Sequence, residues 1–371
     1  MFYLGGVGLA LFLTLLLLSK REKIGADNLL TIWLLIITIH LLLFYFVQAG
    51  LYPQLLGAGI PLPLLHGPLL YLYTLSLTGR QKSLWISLLH FIPAVAVLAY
   101  VTPFVLLPVE QKIYVFEHQG AGYEVFNQVN TIATALSGVT YVLLSSLVLR
   151  KHRLSIVQEF SSTERINLAW LQYLIYWIGA IWVFVIIGND QLIYAAAVLF
   201  VIFIGFFGIR QVGIFHPAQG ISDRAEPPIK ESPPEPLEAG TEKRKYVKSG
   251  LTAEMADKLH RELVHLMEQE KPFRETELSL AQLAARLNTQ SNYLSQVINE
   301  CEGKNFYDYI NTLRIDEFTR LATTHDSRKY TLLGLAQECG FSSKSSFHRY
   351  FKKVKGMSPS EFMETTLVSE N

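Results

Sequence analysis

The sequence predicts an all-α protein: a seven-helix transmembrane bundle, a disordered linker, and an all-helical domain in which a two-helix unit occurs twice about a connecting helix. Three observations predict this. Charge is unevenly placed: residues 1–212 hold 11 Lys/Arg and 8 Asp/Glu, and the remaining 159 hold 21 and 23. Apolar runs long enough for a bilayer core of ~30 Å, which takes about 20 residues of helix, recur in the first part alone. In the second part a helical pattern returns at a nearly fixed offset. A chain that is 50% hydrophobic and 17% charged with net charge +1 suits neither an ordinary soluble enzyme nor a strongly basic nucleic-acid coat protein.

The expected spans are Phe2–Leu18, Leu29–Leu51, Ile60–Thr78, Leu84–Leu107, Val129–Leu149, Leu168–Ile187 and Leu192–Ile209, none containing Asp, Glu, Lys or Arg. The first is not read as a signal peptide, because its basic residues Lys20, Arg21 and Lys23 follow the apolar stretch instead of preceding it. Alternate connections carry these three, then Arg80 and Lys82, then Arg150, Lys151, Arg153 and Arg165, with Arg210 after the last run. The opposite set carries Lys112 beside Glu110, Glu117, Glu124 and Asp190. An excess of Lys/Arg marks the cytoplasmic side, so the expected protein is multi-pass in the inner membrane, N-terminus outside and C-terminus in the cytoplasm.

Within the runs, His40, His66 and His90 are the side chains that titrate near neutral pH. His66 lies in PLPLLHGPLLYLY, where Pro61, Pro63, Gly67 and Pro68 disturb a helix and leave room beside it. A polar group next to irregular backbone within a membrane is a candidate ligand contact, and His66 and His90 are named as such. The competing reading is a histidine bonded to a neighbouring helix as packing glue. The outer segment 108–127, with Tyr114, Phe116, His118 and Tyr123, is a second place for a ligand to enter.

Gly213 to Glu242 contains six prolines, six acids and two bases, a composition that cannot offset the entropy of folding. As polyproline II at ~3.1 Å per residue it reaches roughly 90 Å. KRKYVK (Lys243–Lys248) then restores positive charge, for solvation or for contact with phosphate or anionic lipid. The expected domains are therefore 1–212, a linker 213–250, and 251–371.

Past Leu251 an opening helix places Met255, Leu259, Leu263 and Leu266/Met267 on one stripe, starting at Thr252 and stopped by Pro272. Two similar units follow. Leu280/Leu283/Ala284 and Leu332/Leu335/Ala336 open short helices, and Asn288 and Gly340 supply turn residues that tolerate positive φ. The second helices bury Leu294, Val297 and Ile298 in one unit and Phe347, Tyr350 and Phe351 in the other, ending at Gly303 and Gly356. Short helix, tight turn and second helix with an exposed polar face is the helix-turn-helix plan. Between the units, apolar residues from Phe306 to Leu321 fit one continuous helix holding them in fixed relation, as two readers of successive major-groove segments require.

From about Thr252 to Glu364 these residues resemble the AraC/XylS transcriptional regulators, including the closing G-x-S-P-x-x-F of Gly356, Ser358, Pro359 and Phe362. The whole chain also looks like the membrane-embedded members of that family, in which seven helices replace the soluble effector domain; the string HGPLLYLY shares in that likeness. The resemblance implies double-stranded DNA as partner, binding as a dimer to repeated half-sites, and recruitment or exclusion of RNA polymerase. It maps the base-reading positions of the second unit onto Lys344, Ser345, Ser346 and Arg349. Arg349 suits bidentate contact with guanine, and Lys352 and Lys353 suit phosphates. This stretch carries no acid from Ser343 to Lys355, the electrostatic footprint of nucleic-acid binding; a merely solvated helix face is the alternative.

In the first unit the matching positions are Asn292, Ser295 and Gln296, with Ser291 and Asn299 nearby. Better-known members often carry arginine where this chain has Gln296, and Glu300 and Glu302 weaken attraction to phosphate. The second unit is thus expected to supply most of the affinity. Cys301 and Cys339 are expected as reduced packing residues, too few for a metal site, and no cofactor is expected.

The leading expectation is a membrane-anchored one-component regulator, not an enzyme, whose spans sense a signal of unknown nature. The alternative is a transporter or intramembrane enzyme with a regulatory DNA-binding tail. It lacks support from the spans, which carry neither the ionisable residues of a transport path nor an H-E-x-x-H motif. A receptor working through protein partners, with a vestigial tail, is disfavoured by the acid-free basic cluster.

Overall fold

A computed structural model describes residues 2–164, 166–211, 251–323 and 331–369. The expected linker at 213–250, with Lys243–Lys248, lies outside the described residues, as does Arg165. Every regular element among the described residues is helical, and the chain divides into two compact units.

The first unit comprises residues 1–151 and 168–222. Its helices are α1 (Phe2–Ser19), α2 (Gly25–Gln48), α3 (Pro63–Leu77), α4 (Leu84–Leu89), α5 (Ile92–Val105), α6 (Val109–Glu117), α7 (Glu124–Glu159, whose last turns belong to the second unit), α8 (Ala169–Ile187) and α9 (Asp190–Gln211). Among the described residues five helices, α1, α2, α7, α8 and α9, are long and apolar enough to cross a membrane, and six spans result if α5 and α6, bent by 113°, count as one.

The seven expected runs are therefore not seven unbroken helices. The third shortens to the 15 residues of α3 because Pro63 occupies its first turn, where a missing N–H costs nothing. The fourth breaks at His90 and Phe91, and Pro93 restarts the helix as α5. Conversely, α7 runs for 36 residues, through Arg150, Lys151 and Arg153, well past its apolar portion.

The core of this unit is built on Trp33, Leu34, Leu41, Leu70, Leu171, Leu174 and Phe200. Small residues admit close approach: a Cβ on Gly138 would lie 2.1 Å from the Trp182 ring, and one on Gly67 would lie 2.7 Å from the Tyr141 ring. Large apolar side chains such as Leu84, Trp85, Val125 and Leu136 are exposed, as suits a surface solvated by lipid.

The second unit comprises residues 152–167 and 223–371. It contains α10 (Ala253–Gln269), α11 (Leu280–Arg286), α12 (Ser291–Glu302), α13 (Phe306–Ala322), α14 (Leu332–Glu338), α15 (Lys344–Lys355) and α16 (Pro359–Ser369). Thr252 caps α10, its Oγ1 accepting from Met255 N–H at 3.2 Å. The buried stripe of α10 is Ala256, Leu259, Leu263 and Met267, whereas Met255 is 52% exposed. Leu259, Leu263 and Met267 thus face in as expected, and the small Ala256 takes the place expected for Met255.

α13 belongs to two cores. Its first half gives Phe306, Tyr309 and Ile310 to the core containing Leu283, Leu294 and Ile298. Its second half gives Ile315, Phe318 and Ala322 to the core containing Leu335, Phe347 and Phe351. One helix of 17 residues, roughly 25 Å long, therefore serves both two-helix units.

The segment 160–164 packs into this same unit. Phe160 pairs with Ser279 in an isolated antiparallel bridge, and Ser161 N–H donates to Leu278 O at 3.1 Å. Behind it Arg314, 1% exposed on α13, donates to Phe273 O and Glu275 O, each at 2.7 Å, and to Ser161 Oγ at 3.1 Å. Asn311 Nδ2 donates to Ser161 O at 3.0 Å. Burial lowers the Arg314 guanidinium to about 10, still charged at neutral pH, and the surrounding carbonyls accept its hydrogen bonds.

Candidate nucleic-acid interface and first-unit cavity

The paired helices of the second unit are set by local backbone chemistry. Ser279 and Gln282 close a reciprocal capping box at the start of α11 (Gln282 N–H to Ser279 Oγ, 3.2 Å; Ser279 N–H to Gln282 Oε1, 2.8 Å). Thr331 Oγ1 accepts from Gly334 N–H at 3.1 Å to start α14. The turns pass through Asn288 (φ +48°) and Gly340 (φ +97°), and α12 and α15 end at Gly303 (φ +64°) and Gly356 (φ +76°). At the closing motif Ser358 Oγ accepts from Glu361 N–H at 3.2 Å, Pro359 opens α16, and Phe362 packs edge-on against Phe351 at 5.5 Å. The motif is thus a helix stop, a helix start and a clasp onto α15.

On α15, Phe347, Tyr350 and Phe351 are buried, and Lys344, Ser345, Arg349, Lys352 and Lys353 are exposed on the opposite side. Ser346 faces inward at 7% exposure, its N–H donated to the capping Ser343 Oγ at 3.2 Å. Two of the cations are tied to α13: Lys353 Nζ lies 2.6 Å from Asp308 Oδ1 and Lys355 Nζ lies 3.3 Å from Asp316 Oδ1. Arg349 Nη2 donates to the Tyr307 hydroxyl at 3.4 Å. On α12, Asn292 is exposed and Ser291, Ser295 and Gln296 are half-buried. Gln296 Nε2 donates to Glu300 Oε1 at 3.2 Å and Asn299 Nδ2 to Ser295 Oγ at 3.4 Å, so these polar groups are partnered within the helix.

Beside α15, Ser342 Oγ donates to Glu164 Oε2 at 2.9 Å. Glu317, 6% exposed on α13, is clasped by Arg320, Lys271 and Arg274. The hydrogen bonds from Arg320, then those from Lys271 and Arg274, hold its carboxyl well below the ordinary range. Of the cysteines, Cys339 is fully buried, which pushes its thiol up to about 12, while Cys301 is exposed rather than packed.

The first unit contains a cavity of about 240 Å³ among α2, α3, α7, α8 and α9. An outer lobe of about 550 Å³ is lined in part by Phe116, Gln119 and Tyr123. His40, Pro63, Asn130, Asp190 and Tyr194 line both. A directed hydrogen-bond chain runs along the wall. Trp33 Nε1–H donates to His66 Nδ1 at 3.2 Å; indole is a donor only, so His66 carries its proton on Nε2. That proton goes to His40 Nδ1 at 3.1 Å, and His40 Nε2 then donates to the Tyr194 oxygen at 2.9 Å. The Tyr194 proton is what remains at the end of the chain.

Of the two histidines singled out from sequence, His66 lines the cavity and His90 does not; His90 Nδ1 lies 2.9 Å from the Tyr141 hydroxyl. Trp33, Asn130, Thr134 and Tyr194 escaped the sequence reading. A signal was present, since Trp33/His40 and Asn130/Thr134 are spaced to share one helix face within apolar runs.

Comparison with known proteins bears on the second unit. The family model of a helix-turn-helix domain matches residues 283–365, and the AraC-type helix-turn-helix domain expected there is present. An uncharacterized HTH-type transcriptional regulator of Staphylococcus aureus (strain COL) is 31% identical over 96 residues, which make up 26% of this chain and 12% of that protein. The chain thus matches about an eighth of that relative's length. No solved structure matches.

Proposed function

We propose that this protein is a membrane-anchored transcription regulator that binds operator DNA sequence-specifically through α11–α12 and α14–α15, under control of a signal received by the first unit. The observation that carries the reading is the exposed basic face of α15 on a helix pair coupled through α13 to a second such pair. Two rigidly joined readers suit successive major-groove segments. Arg349 contacts guanine, Lys344 and Ser345 contact neighbouring base edges, and Lys352 and Lys353 contact phosphate. Ser346, being buried, orients the helix start instead. Asn292 is the leading contact of the α11–α12 pair, with Ser291, Ser295 and Gln296 behind it.

The apolar helices anchor the protein in the inner membrane, and the second unit lies in the cytoplasm. Two features support that topology: Arg150, Lys151 and Arg153 precede the segment that packs into the second unit, and Arg210 lies before the linker. A dimer on repeated half-sites and contact with RNA polymerase complete the proposal.

The test uses the full chain in lipid nanodiscs, mixed with fragmented genomic DNA of its source at near-physiological salt, with retained fragments sequenced. Recovery of a few sites sharing a bipartite motif, lost with Arg349→Ala, is expected. Retention that depends on salt but shows no motif overturns sequence-specific reading.

A further inference from the structure

The cavity in the first unit has more polar capacity than its own side chains use. Threonines in these helices commonly return their hydroxyl to the carbonyl four residues back: Thr14, Thr38, Thr74, Thr102 and Thr131 all do so at 2.7–2.8 Å. Thr134 departs from this habit. It is 5% exposed, lines the cavity, and its Oγ1 has no partner among the described residues. Asn130 Oδ1, one turn earlier on the same face of α7, is likewise buried without a partner. Buried polar atoms are nearly always satisfied, so two orphans on residues that line one cavity mark a place for something that satisfies them.

The third polar group is Tyr194, whose oxygen accepts from His40 and whose proton is left over. The wall therefore offers a donor at Tyr194, an acceptor at Asn130, and a hydroxyl of either kind at Thr134. The remainder is apolar, including Ile37, Ile178, Trp182 and Phe200. Asp190 also lines the cavity, but it sits in the first turn of α9, where the unsatisfied N–H groups of the helix already favour negative charge. An anion is disfavoured beside it, and a cation has less to gain there than beside an isolated carboxylate.

We infer that this cavity binds an uncharged small molecule combining a hydrogen-bond acceptor and donor on an apolar body, a carboxamide being the simplest such group, entering through the outer lobe beside α6. The carbonyl accepts from Tyr194, and the N–H donates to Asn130 or Thr134. This rests on the proposed sensing role and gives its signal a chemical class.

Trp33 and Trp182 line the cavity and report occupancy by their fluorescence. The full chain in nanodiscs is titrated, without DNA, with hexanamide, hexanoate, hexylammonium and heptan-2-one. Hexanamide is expected to give a saturable change at about millimolar concentration, the range for so few heavy atoms. Heptan-2-one, lacking the N–H, should bind about tenfold more weakly, and the two ions should not saturate. Tyr194→Phe and Thr134→Val should each weaken hexanamide about tenfold.

A linear response from all four probes, indicating partition into lipid, overturns the inference. So does tighter binding of hexylammonium, or saturable hexanamide binding unmoved by either variant. The comparison among probes on the unaltered protein keeps the test decisive if a variant fails to fold. Operator affinity with and without hexanamide is read separately: binding without any change in DNA affinity leaves the site standing and removes the proposed control.

Discussion

Gly340 stands where the second helix-turn-helix unit turns, and no side chain fits there. A Cβ would meet Phe273 O at 2.6 Å and Arg314 Nε at 2.8 Å, at a φ of +97°. Gly340→Ala is expected to destabilise the second unit by at least about 2 kcal/mol, through left-handed strain and displaced backbone. Asn288→Gly, at the matching turn, should change stability by less than about 1 kcal/mol; thermal midpoints of the two variants compare them. Glu317 makes a pH-dependent contribution. Its folded carboxyl titrates far below the ordinary 4.5, so its stabilisation is complete above that value and is lost as pH falls beneath it. Glu317→Gln is expected to lower the melting temperature at pH 7 and to flatten its fall between about pH 4.5 and 3. Turn glycines and capping residues were legible because their chemistry is local. Glu317 was not, since Lys271 and Arg274 lie 46 and 43 residues away in sequence. Arg314, in mid-helix, reads as a solvated charge until the fold closes around it.

Among the elements, α12 and α15 have the same place in their units but different surfaces. α15 presents cations, whereas the polar groups of α12 bond to one another and to Glu300. If both read DNA as proposed, Arg349→Ala should weaken operator binding by about 1–3 kcal/mol and Gln296→Ala by much less. The reverse order in a gel-shift titration would mean that α12 is the principal reader. The start of α15 lies beside Glu164, and a carboxylate near a helix N-terminus that approaches phosphate opposes that approach. Glu164→Gln is expected to raise operator affinity about threefold at low salt, with the gain fading as salt screens it. The helices of this unit were readable from apolar spacing and glycine stops. The burial of Ala256 in place of Met255 was not, because a buried alanine adds little to a hydrophobic pattern. The docking of residues 160–164 was equally hidden, for nothing in a short polar connection announces what it will pair with.

At the scale of the whole molecule, composition alone separated an apolar part from a charged one, and the two compact units of the fold bring one amendment to that division. The division is not a single cut along the sequence, since residues 152–167 fold with the C-terminal part. Hydropathy also overstated the regularity of the spans, because it counts apolar residues without asking where proline restarts a helix. The amendment bears on modularity. A gene fusion that moved only the residues beyond the linker to another N-terminal domain would transfer a DNA-binding module with a missing piece, because Arg314 would lose Ser161 and Ser279 would lose its bridge to Phe160. A recombinant fragment beginning at Lys243 is expected to melt at least about 5 °C lower than the same fragment with residues 152–167 restored through a glycine-rich connection. By this account the module is encoded in two stretches separated by α8 and α9, and recombination that respects only the linker separates what the fold has joined.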